Sequence, residues 1–173
     1  MERVIIIGSP GSGKSTFARR LDEELDLPLF HLDKLFWKPG WVMESLDEQK
    51  DITEELVQND RWMIDGNYWA TLPIRLERAD TVVFFDLPRW LCLYRIIKRR
   101  FKYWNKQRPD FNAGKERLNL EFLIYVWRFR KNKRQRIVDL VESVKDKKTV
   151  YIIRSRKDTN LVFHELIKKS NDT

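Results

Sequence analysis

The stretch VIIIGSPGSGKSTFARRLDEEL, residues 4–25, decides the fold of this 173-residue chain. Its first four residues are apolar and β-branched, as expected of a central parallel strand that is covered on both faces. From Lys14 onward, apolar side chains recur at helical spacing on one face. They are Phe17, Ala18, Leu21 and Leu25. A buried strand that runs through a glycine-rich turn into an amphipathic helix predicts one unit of an α/β fold.

The turn itself, Gly-Ser-Pro-Gly-Ser-Gly-Lys-Ser at residues 8–15, matches the phosphate-loop pattern G-x-x-x-x-G-K-[ST] at every fixed position. In such a loop, glycines let successive backbone N–H groups surround a phosphate, and the following helix adds its positive end. We therefore predict that the loop binds ATP. The predicted nucleotide-binding residues are Gly8, Ser9, Gly11, Ser12, Gly13, Lys14, Ser15 and Thr16.

Phosphoryl transfer also needs a cation at the β- and γ-phosphates, together with Mg²⁺. Lys14 is the predicted catalytic cation, and the Ser15 hydroxyl is a predicted Mg²⁺ ligand. We expect a carboxylate from a neighbouring strand as well, since ligands of parallel sheets collect at the carboxyl ends of the strands. Asp65 and Asp86 both follow predicted strands, with a helix cap or turn as the alternative role. Asp65 is preferred because Gly66 lets the chain turn sharply beside a ligand.

Strands and helices alternate along the chain. Strands are predicted at residues 4–7, 29–32, 61–64, 81–85 and 149–153, and helices at 14–25, 44–58, 88–100, 116–144 and 160–169. This alternation predicts a three-layer α/β/α P-loop fold with a five-stranded parallel sheet, formed by residues 1–173 as one domain. Polar turn-forming residues at 101–115 predict a mobile loop, which belongs to a basic helical lid at about residues 100–130.

Positive charge is concentrated in one part of the chain, whose formal net charge is +8. Residues 95–136 contain 15 Lys and Arg against 3 Asp and Glu. Such a segment indicates an anionic partner, either nucleotide phosphates or nucleic acid, with a solvated helical surface as the alternative. Arg95 and Arg99, one helical turn apart, are predicted catalytic cations. Arg108 and Arg117 are expected to close over the same phosphates.

Signals for secretion or membrane insertion are missing from the sequence. The four aliphatic residues near the start are too few for a signal peptide, and no apolar run approaches the roughly 20 residues that cross a bilayer. The single cysteine, Cys92, excludes an intramolecular disulfide, and we interpret it as a packing residue. These features predict a cytoplasmic protein.

A second site is predicted across from the phosphate loop, within residues 31–78. Asp33, at the end of the second strand, is a predicted catalytic residue that binds an acceptor hydroxyl or helps to remove its proton, unless it only caps the following turn. His31 is interpreted as a packed structural residue. Aromatic residues in two nearby connections suit a planar substrate such as a nucleobase, or alternatively fill the core of the lid. They are Trp37, Trp41, Tyr68 and Trp69.

Taken together, these motifs resemble the adenylate-kinase group of P-loop nucleoside monophosphate kinases. That likeness rests on residues 8–15, on Asp65-Gly66, on residues 79–88, and on Arg95 and Arg99. Over residues 3–129 the chain more closely resembles the bacterial FlaR-like proteins, also called DNA topology modulation or adenylate-kinase-related proteins. The motifs are His31-Leu32-Asp33, Trp37-x-Pro39-Gly40-Trp41, Ile64-Asp65-Gly66-Asn67-Tyr68, Thr71-Leu72-Pro73-x-Arg75-Leu76, Pro88-Arg89-Trp90 and Arg108-Pro109-Asp110.

The resemblance implies a sheet of order 2-3-1-4-5, an acceptor-binding region and an arginine-bearing lid. It also implies that Asp65 acts near Mg²⁺ and that Arg95 and Arg99 face the phosphates. One segment departs from the nucleotide kinases, which use Phe-Pro-Arg to hold an acceptor phosphate. Here Asn67-Tyr68-Trp69 follows Asp65-Gly66, which leaves a smaller or unphosphorylated acceptor open.

The sequence thus predicts an ATP- and Mg²⁺-dependent kinase that transfers the γ-phosphate to a small acceptor, such as a nucleoside or nucleotide. One alternative is a nucleic-acid-binding P-loop ATPase that acts on DNA topology and whose cationic segment holds the DNA backbone. Another is a P-loop regulator that binds nucleotide without fast turnover. The sequence contains no helix-turn-helix, zinc-ligand set or RNP-like segment, which favours the kinase over the nucleic-acid-binding ATPase.

Overall fold

A parallel sheet forms the centre of the molecule. The computed structural model describes residues 1–104 and 120–171. Its strands are β1 (Arg3–Gly8), β2 (Leu29–His31), β3 (Trp37–Lys38), β4 (Val42–Met43), β5 (Trp62–Asp65), β6 (Thr81–Phe85) and β7 (Thr149–Ile153). Five of them pair in the order β2-β5-β1-β6-β7, all in parallel, while β3 and β4 form an antiparallel pair. Counted among the sheet strands alone, this order is 2-3-1-4-5, so the predicted fold and strand order are confirmed.

Helices cover the sheet. In the described residues they are α1 (Lys14–Leu25), α2 (Leu32–Leu35), α3 (Leu46–Gln58), α4 (Leu72–Arg78), α5 (Arg89–Lys102), α6 (Leu120–Asn132), α7 (Arg134–Val144) and α8 (Arg156–Asn171). Val4 and Ile6 pack in one apolar cluster with residues of α1 and α8. Ile5 and Ile7 pack in a second cluster with residues of α4 and α7. Strand β1 is therefore buried on both faces, which explains its uninterrupted apolar sequence.

Several local features differ from the sequence prediction. The helix predicted at 116–144 is divided in its described part, because α6 ends at Asn132 and α7 begins at Arg134. The predicted strand 29–32 ends one residue early, so Asp33 lies in α2 rather than at a strand end. Helix α3 begins at Leu46 rather than at 44, since Ser45 and Glu48 form a capping box. The short elements α2, α4, β3 and β4 were not predicted.

Three further predictions concern Cys92, the lid and membrane insertion. Cys92 is fully buried and burial raises the pKa of its thiol, as expected of a packing residue. Arg108, Arg117 and most of the predicted mobile loop lie outside the described residues. Among the residues that are described, no helix is both long and apolar enough to span a membrane.

Candidate functional site

The phosphate loop leaves the carboxyl end of β1 and enters α1. Gly8 and Gly13, at its two ends, have φ angles of 144° and 101°, which side chains other than glycine rarely adopt. A Cβ atom at Gly8 would also lie 2.5 Å from the Phe85 carbonyl oxygen. Gly13 directly precedes the first residue of α1, so the loop meets the positive end of that helix. The loop thus has glycine where the backbone is left-handed at both of its ends, and it runs into a helix end that favours anions.

Two cationic side chains contact this loop. The Lys14 Nζ donates a hydrogen bond to the Ser9 carbonyl oxygen at 3.2 Å, so the ammonium group lies back over its own loop. Arg95 on α5 donates to the Ser12 carbonyl oxygen at 2.6 Å. Arg99 follows one turn later on α5 and lines the same cleft, so both predicted arginines face it.

An open cleft of about 1550 Å³ connects the predicted sites. The phosphate loop lines it together with Asp33 and Asp65. The four aromatic residues singled out in the sequence also line it, and so do Phe122 and Tyr125 of α6, which the sequence reading missed. Its cationic side chains are Lys14, Arg19, Arg20, Arg95, Lys98, Arg99, Lys102 and Arg156. This concentration of positive charge suits a polyphosphate ligand.

Asp65 ends β5 beside the phosphate-loop strand, where Ile6 is its register partner. Its carboxylate is buried, and Oδ2 lies 3.0 Å from the Nδ1 of His31. The other oxygen, Oδ1, has no hydrogen-bond partner among the described residues. A buried carboxylate oxygen without a partner, together with the Ser15 hydroxyl on the same cleft, fits the hard oxygen ligands that Mg²⁺ prefers.

Asp86, the second carboxylate candidate, has a different environment. Arg134 of α7 binds both of its oxygens, with Nε to Oδ1 and a terminal nitrogen to Oδ2, each at 2.7 Å. The hydrogen bond to Asp86 raises the pKa of Arg134. The Arg154 Nε lies 3.8 Å from the same carboxylate. These contacts join β6 to α7 and occupy both oxygens of Asp86, whereas Oδ1 of Asp65 has no hydrogen-bond partner among the described residues.

The predicted acceptor side contains a chain of three hydrogen-bonded side chains. The Tyr68 hydroxyl donates to Oδ1 of Asp33 at 2.8 Å, and the Trp37 Nε1–H donates to the Tyr68 oxygen at 2.9 Å. Burial, and then the charge of Asp33, raise the pKa of Tyr68, so its hydroxyl stays protonated. The same two causes raise the pKa of Tyr125. The structure gives the N-cap position of α2 to His31, so Asp33 is not the cap that the alternative interpretation required.

Arg75 is the most buried charged residue of the site, and the sequence reading gave it no role. It is fully buried on α4 and donates to the carbonyl oxygens of Gly66, Asn67 and Tyr68, at 2.9, 3.1 and 3.1 Å. Burial lowers the pKa of its guanidinium, while the charge of Asp65 opposes that shift. Arg75 therefore braces the connection that follows β5.

Asn67 joins this connection to the phosphate loop. Its Oδ1 accepts from the Gly8 N–H at 2.9 Å, and its Nδ2 donates to the Gly8 carbonyl oxygen at 2.7 Å. In the sequence, Asn67 belongs to the motif Ile64-Asp65-Gly66-Asn67-Tyr68. The motif does not indicate that the Asn67 side chain binds Gly8.

The fold and the site define a P-loop kinase-like domain that binds a nucleotide. More particularly, residues 4–104 match the protein family described as an AAA domain, and the chain belongs to that family. It is 27% identical over 131 residues to a protein of Thermotoga maritima named bifunctional shikimate kinase/3-dehydroquinate synthase. That alignment covers 67% of this chain and 25% of the relative. A shikimate kinase of Rhodococcus jostii is 55% identical over 31 residues, which cover 18% of each chain.

The chain thus spans a quarter or less of the length of these two relatives. The likeness supports a distant relationship with shikimate kinases. It supports the P-loop kinase part of the predicted resemblance.

Proposed function

We propose that the chain is an ATP- and Mg²⁺-dependent phosphotransferase that transfers the γ-phosphate of ATP to a hydroxyl group of a small acceptor. The observation that carries the proposal is a single cleft lined by both the phosphate loop and the Asp33–Tyr68 pair. A donor site and an acceptor group on one cleft allow direct transfer without a separate intermediate site. We also propose that the chain is related to the FlaR-like proteins, whose motifs it resembles.

The donor side stabilises the charge that develops on the transferred phosphoryl group. Lys14 leaves the Ser9 carbonyl oxygen and binds the phosphates, while Arg95 and Arg99 add charge from α5. Ser15 and Asp65 would hold Mg²⁺, which when bound neutralises phosphate charge. These roles require cationic side chains for the phosphates and oxygen ligands for Mg²⁺. Side chains of both kinds line the cleft.

On the acceptor side, Asp33 orients the hydroxyl that attacks. The acceptor oxygen forms a bond to the γ-phosphorus as the bond between that phosphorus and the oxygen of ADP breaks. The hydroxyl proton passes to the Asp33 carboxylate. Little proton transfer is needed early in a loose transition state, so the main contribution of Asp33 is orientation.

The acceptor is proposed to lack a phosphate group of its own. Arg75, the arginine nearest to the connection after β5, is fully buried and bound to three carbonyl oxygens, so it cannot also hold an acceptor phosphate. The walls are aromatic instead: Trp37, Trp41, Tyr68 and Trp69 line the cleft, and the ring centroids of Trp37 and Trp41 lie 5.9 Å apart. The two relatives are named for kinases of shikimate, which agrees with an acceptor that offers only hydroxyl and carboxylate groups.

Residues 31–78 are proposed to form the acceptor side, and residues from about 100 to 130 a lid over the cleft. Phe101 and Tyr103 at the end of α5 and Phe122 and Tyr125 of α6 support the lid, because all four line the cleft. A lid of this kind excludes water from the transferred group.

An acceptor screen tests the proposal. The purified protein with Mg-ATP is given nucleosides, nucleoside monophosphates, shikimate and other hydroxylated carboxylic acids, and ADP release is measured against an acceptor-free background. We expect an unphosphorylated acceptor to stimulate ADP release, and Lys14→Ala to abolish the stimulation. ATP binding without stimulation by any acceptor class would favour the regulator. Stimulation only by nucleoside monophosphates would contradict the proposal that the acceptor lacks a phosphate group.

One observation favours the nucleic-acid-binding ATPase as a second candidate. Helix α5 carries basic residues and no acidic ones, and it exposes large apolar side chains at alternating spacings of four and three residues. These are Trp90, Tyr94, Ile97, Phe101 and, just past the helix, Trp104. Aromatic side chains flanked by cations can stack bases and hold phosphates.

Single-stranded and duplex DNA distinguish the two candidates. Binding that stimulates ATP hydrolysis, and whose affinity falls steeply with salt, would support the second candidate. Weak binding that leaves ATP hydrolysis unchanged is what any protein of net charge +8 shows. That result leaves the kinase as the better account.

A further inference from the structure

The backbone N–H and carbonyl oxygen of Gly8 on the β5 side form hydrogen bonds with a side chain instead of with a neighbouring strand. The parallel ladder between β1 and β5 continues as far as Gly66, whose N–H donates to the Ile6 carbonyl oxygen at 3.2 Å. Past that point the chain leaves the sheet. The next ladder bond would join the Gly8 N–H to the Gly66 carbonyl oxygen, but that oxygen accepts from Arg75 instead.

The side-chain amide of Asn67 takes the place of the missing strand. A primary amide has the donor and the acceptor of a peptide group, and both are used on Gly8, at 2.7 and 2.9 Å. Gly8 is the first residue of the phosphate loop and has a φ of 144°. Asn67 therefore fixes both polar groups of the residue at which the loop departs from the sheet.

The same short connection continues into the acceptor side. The residue after Asn67 is Tyr68, whose hydroxyl binds Asp33. Arg75 binds the carbonyl oxygens of Gly66, Asn67 and Tyr68, so one buried side chain links the backbone of all three residues. The Asn67 amide adds a hydrogen-bonded link from this connection to Gly8 of the phosphate loop.

We propose that Asn67 is a positioning residue that couples nucleotide binding at the phosphate loop to the order of the acceptor-side connection Gly66–Trp69. The inference deepens the proposed function and rests on its assignment of the phosphate loop to nucleotide. Coupling of this kind is reciprocal, so an ordered acceptor side also strengthens nucleotide binding. A purely structural role for Asn67 would change stability and leave the response of residues 66–69 to nucleotide intact.

Hydrogen exchange with Mg-ADP as the probe tests the coupling without an acceptor. In the parent protein, Mg-ADP is expected to slow amide exchange both in the phosphate loop and at residues 66–69. In Asn67→Ala, Mg-ADP is expected to slow amide exchange in the phosphate loop but no longer at residues 66–69. The Kd for Mg-ADP is expected to rise about tenfold, because two hydrogen bonds are lost. Asn59→Ala is the matched control, because its amide also donates to a backbone carbonyl oxygen, that of Leu56, on an exposed surface.

Should Asn67→Ala fail to fold, Asn67→Asp is the substitute. Its carboxylate can still accept from the Gly8 N–H but cannot donate to the Gly8 carbonyl oxygen. For Asn67→Asp, the quantity to compare is amide exchange at residues 66–69 and not the affinity for Mg-ADP, because the added negative charge repels ADP by itself. The expected result is again a weaker response of these residues than in the parent.

The outcomes separate this inference from the function on which it rests. A parent that binds Mg-ADP, with variants whose residues 66–69 respond as in the parent, overturns the coupling and leaves the proposed function in place. A parent in which Mg-ADP binds without slowing exchange at residues 66–69 also overturns it. A parent that does not bind Mg-ADP contradicts the proposed function itself.

Discussion

The hydroxyl of Tyr68 donates a 2.8 Å hydrogen bond to Oδ1 of Asp33, the carboxylate that faces the same cleft as the phosphate loop. The contact joins helix α2 to the connection after β5, through two residues that are 35 positions apart in the chain. Since Trp37 also donates to the Tyr68 oxygen, the orientation of the phenol is fixed on both sides. The carboxylate thus keeps one orientation in the cleft, which is what an acceptor hydroxyl requires of it.

Removal of this hydroxyl tests its contribution to acceptor use. Tyr68→Phe is expected to lower acceptor-dependent kcat/KM about tenfold or more, because a hydrogen bond to a charged group is lost. ATP affinity should stay within about twofold, since the described hydrogen bonds of the Tyr68 hydroxyl go to Asp33 and Trp37, and the Asn67 amide is unchanged. Tyr151→Phe is the matched control, because its hydroxyl also donates to a carboxylate, that of Glu165, at 3.0 Å. An equal loss in both variants would contradict a specific role for Tyr68.

The raised pKa of Tyr68 predicts how stability depends on pH. In the unfolded chain the phenol ionises near its ordinary pKa of 10.0, whereas in the folded protein it remains protonated above that pH. The unfolded state therefore loses protons first, and the free energy of unfolding falls as pH rises beyond about 10. Tyr68→Phe should show a shallower fall in urea unfolding between about pH 9 and pH 11. Parallel curves for the parent and the variant would contradict the assigned burial.

Asp65 and Asp86 are expected to respond differently to the same substitution. Asp65→Asn should raise the Mg²⁺ concentration needed for half-maximal activity by about tenfold or more, because a charged oxygen ligand is lost. Asp86→Asn should leave that requirement unchanged and lower the free energy of unfolding by about 3 kcal/mol, since Arg134 loses the partner of a mostly buried ion pair. Activity titrations with Mg²⁺ and urea unfolding measure the two effects. A shifted Mg²⁺ requirement in Asp86→Asn alone would reverse the assignment.

Lys14→Ala is expected to reduce turnover about 100-fold or more, because a preorganised cation at the β- and γ-phosphates is removed. Lys50→Ala is the control, since Lys50 lies on the exposed surface of α3 and forms a surface ion pair with Asp47. Steady-state ADP release measures both. Parent-like turnover in Lys14→Ala would show that the loop does not bind the transferred phosphate.

The sheet and the phosphate loop could be predicted because their signals are local. The β-branched run from Val4 to Ile7 and the loop at residues 8–15 specify a strand, a turn and a helix start within a short stretch. Contacts between distant segments have no such signal. The Asn67–Gly8 bonds span 59 residues and the Arg134–Asp86 pair spans 48. Such pairs of residues can be identified only in the folded structure, where the sheet brings distant segments together.

The break between α6 and α7 escaped prediction for a related reason. The sequence Lys131-Asn132-Lys133 contains neither proline nor glycine, so helical periodicity continues across it. In the structure, Phe129 before the break and Ile137 after it join the same apolar cluster, so both helices bury apolar side chains there. Such burial would also suit an unbroken helix, so the apolar pattern of the sequence does not indicate where α6 ends.

Asp33→Asn tests the central claim most directly. The substitution keeps the shape of the side chain and removes its charge, so it separates acceptor catalysis from nucleotide binding. Acceptor-dependent ADP release is measured with the best acceptor from the screen, and Mg-ATP affinity is measured by titration on the same samples. We predict that turnover falls about 100-fold or more while ATP affinity stays within about threefold. Parent-like turnover would contradict the role of Asp33 in phosphoryl transfer, and a large loss of ATP affinity would place Asp33 in the nucleotide site instead.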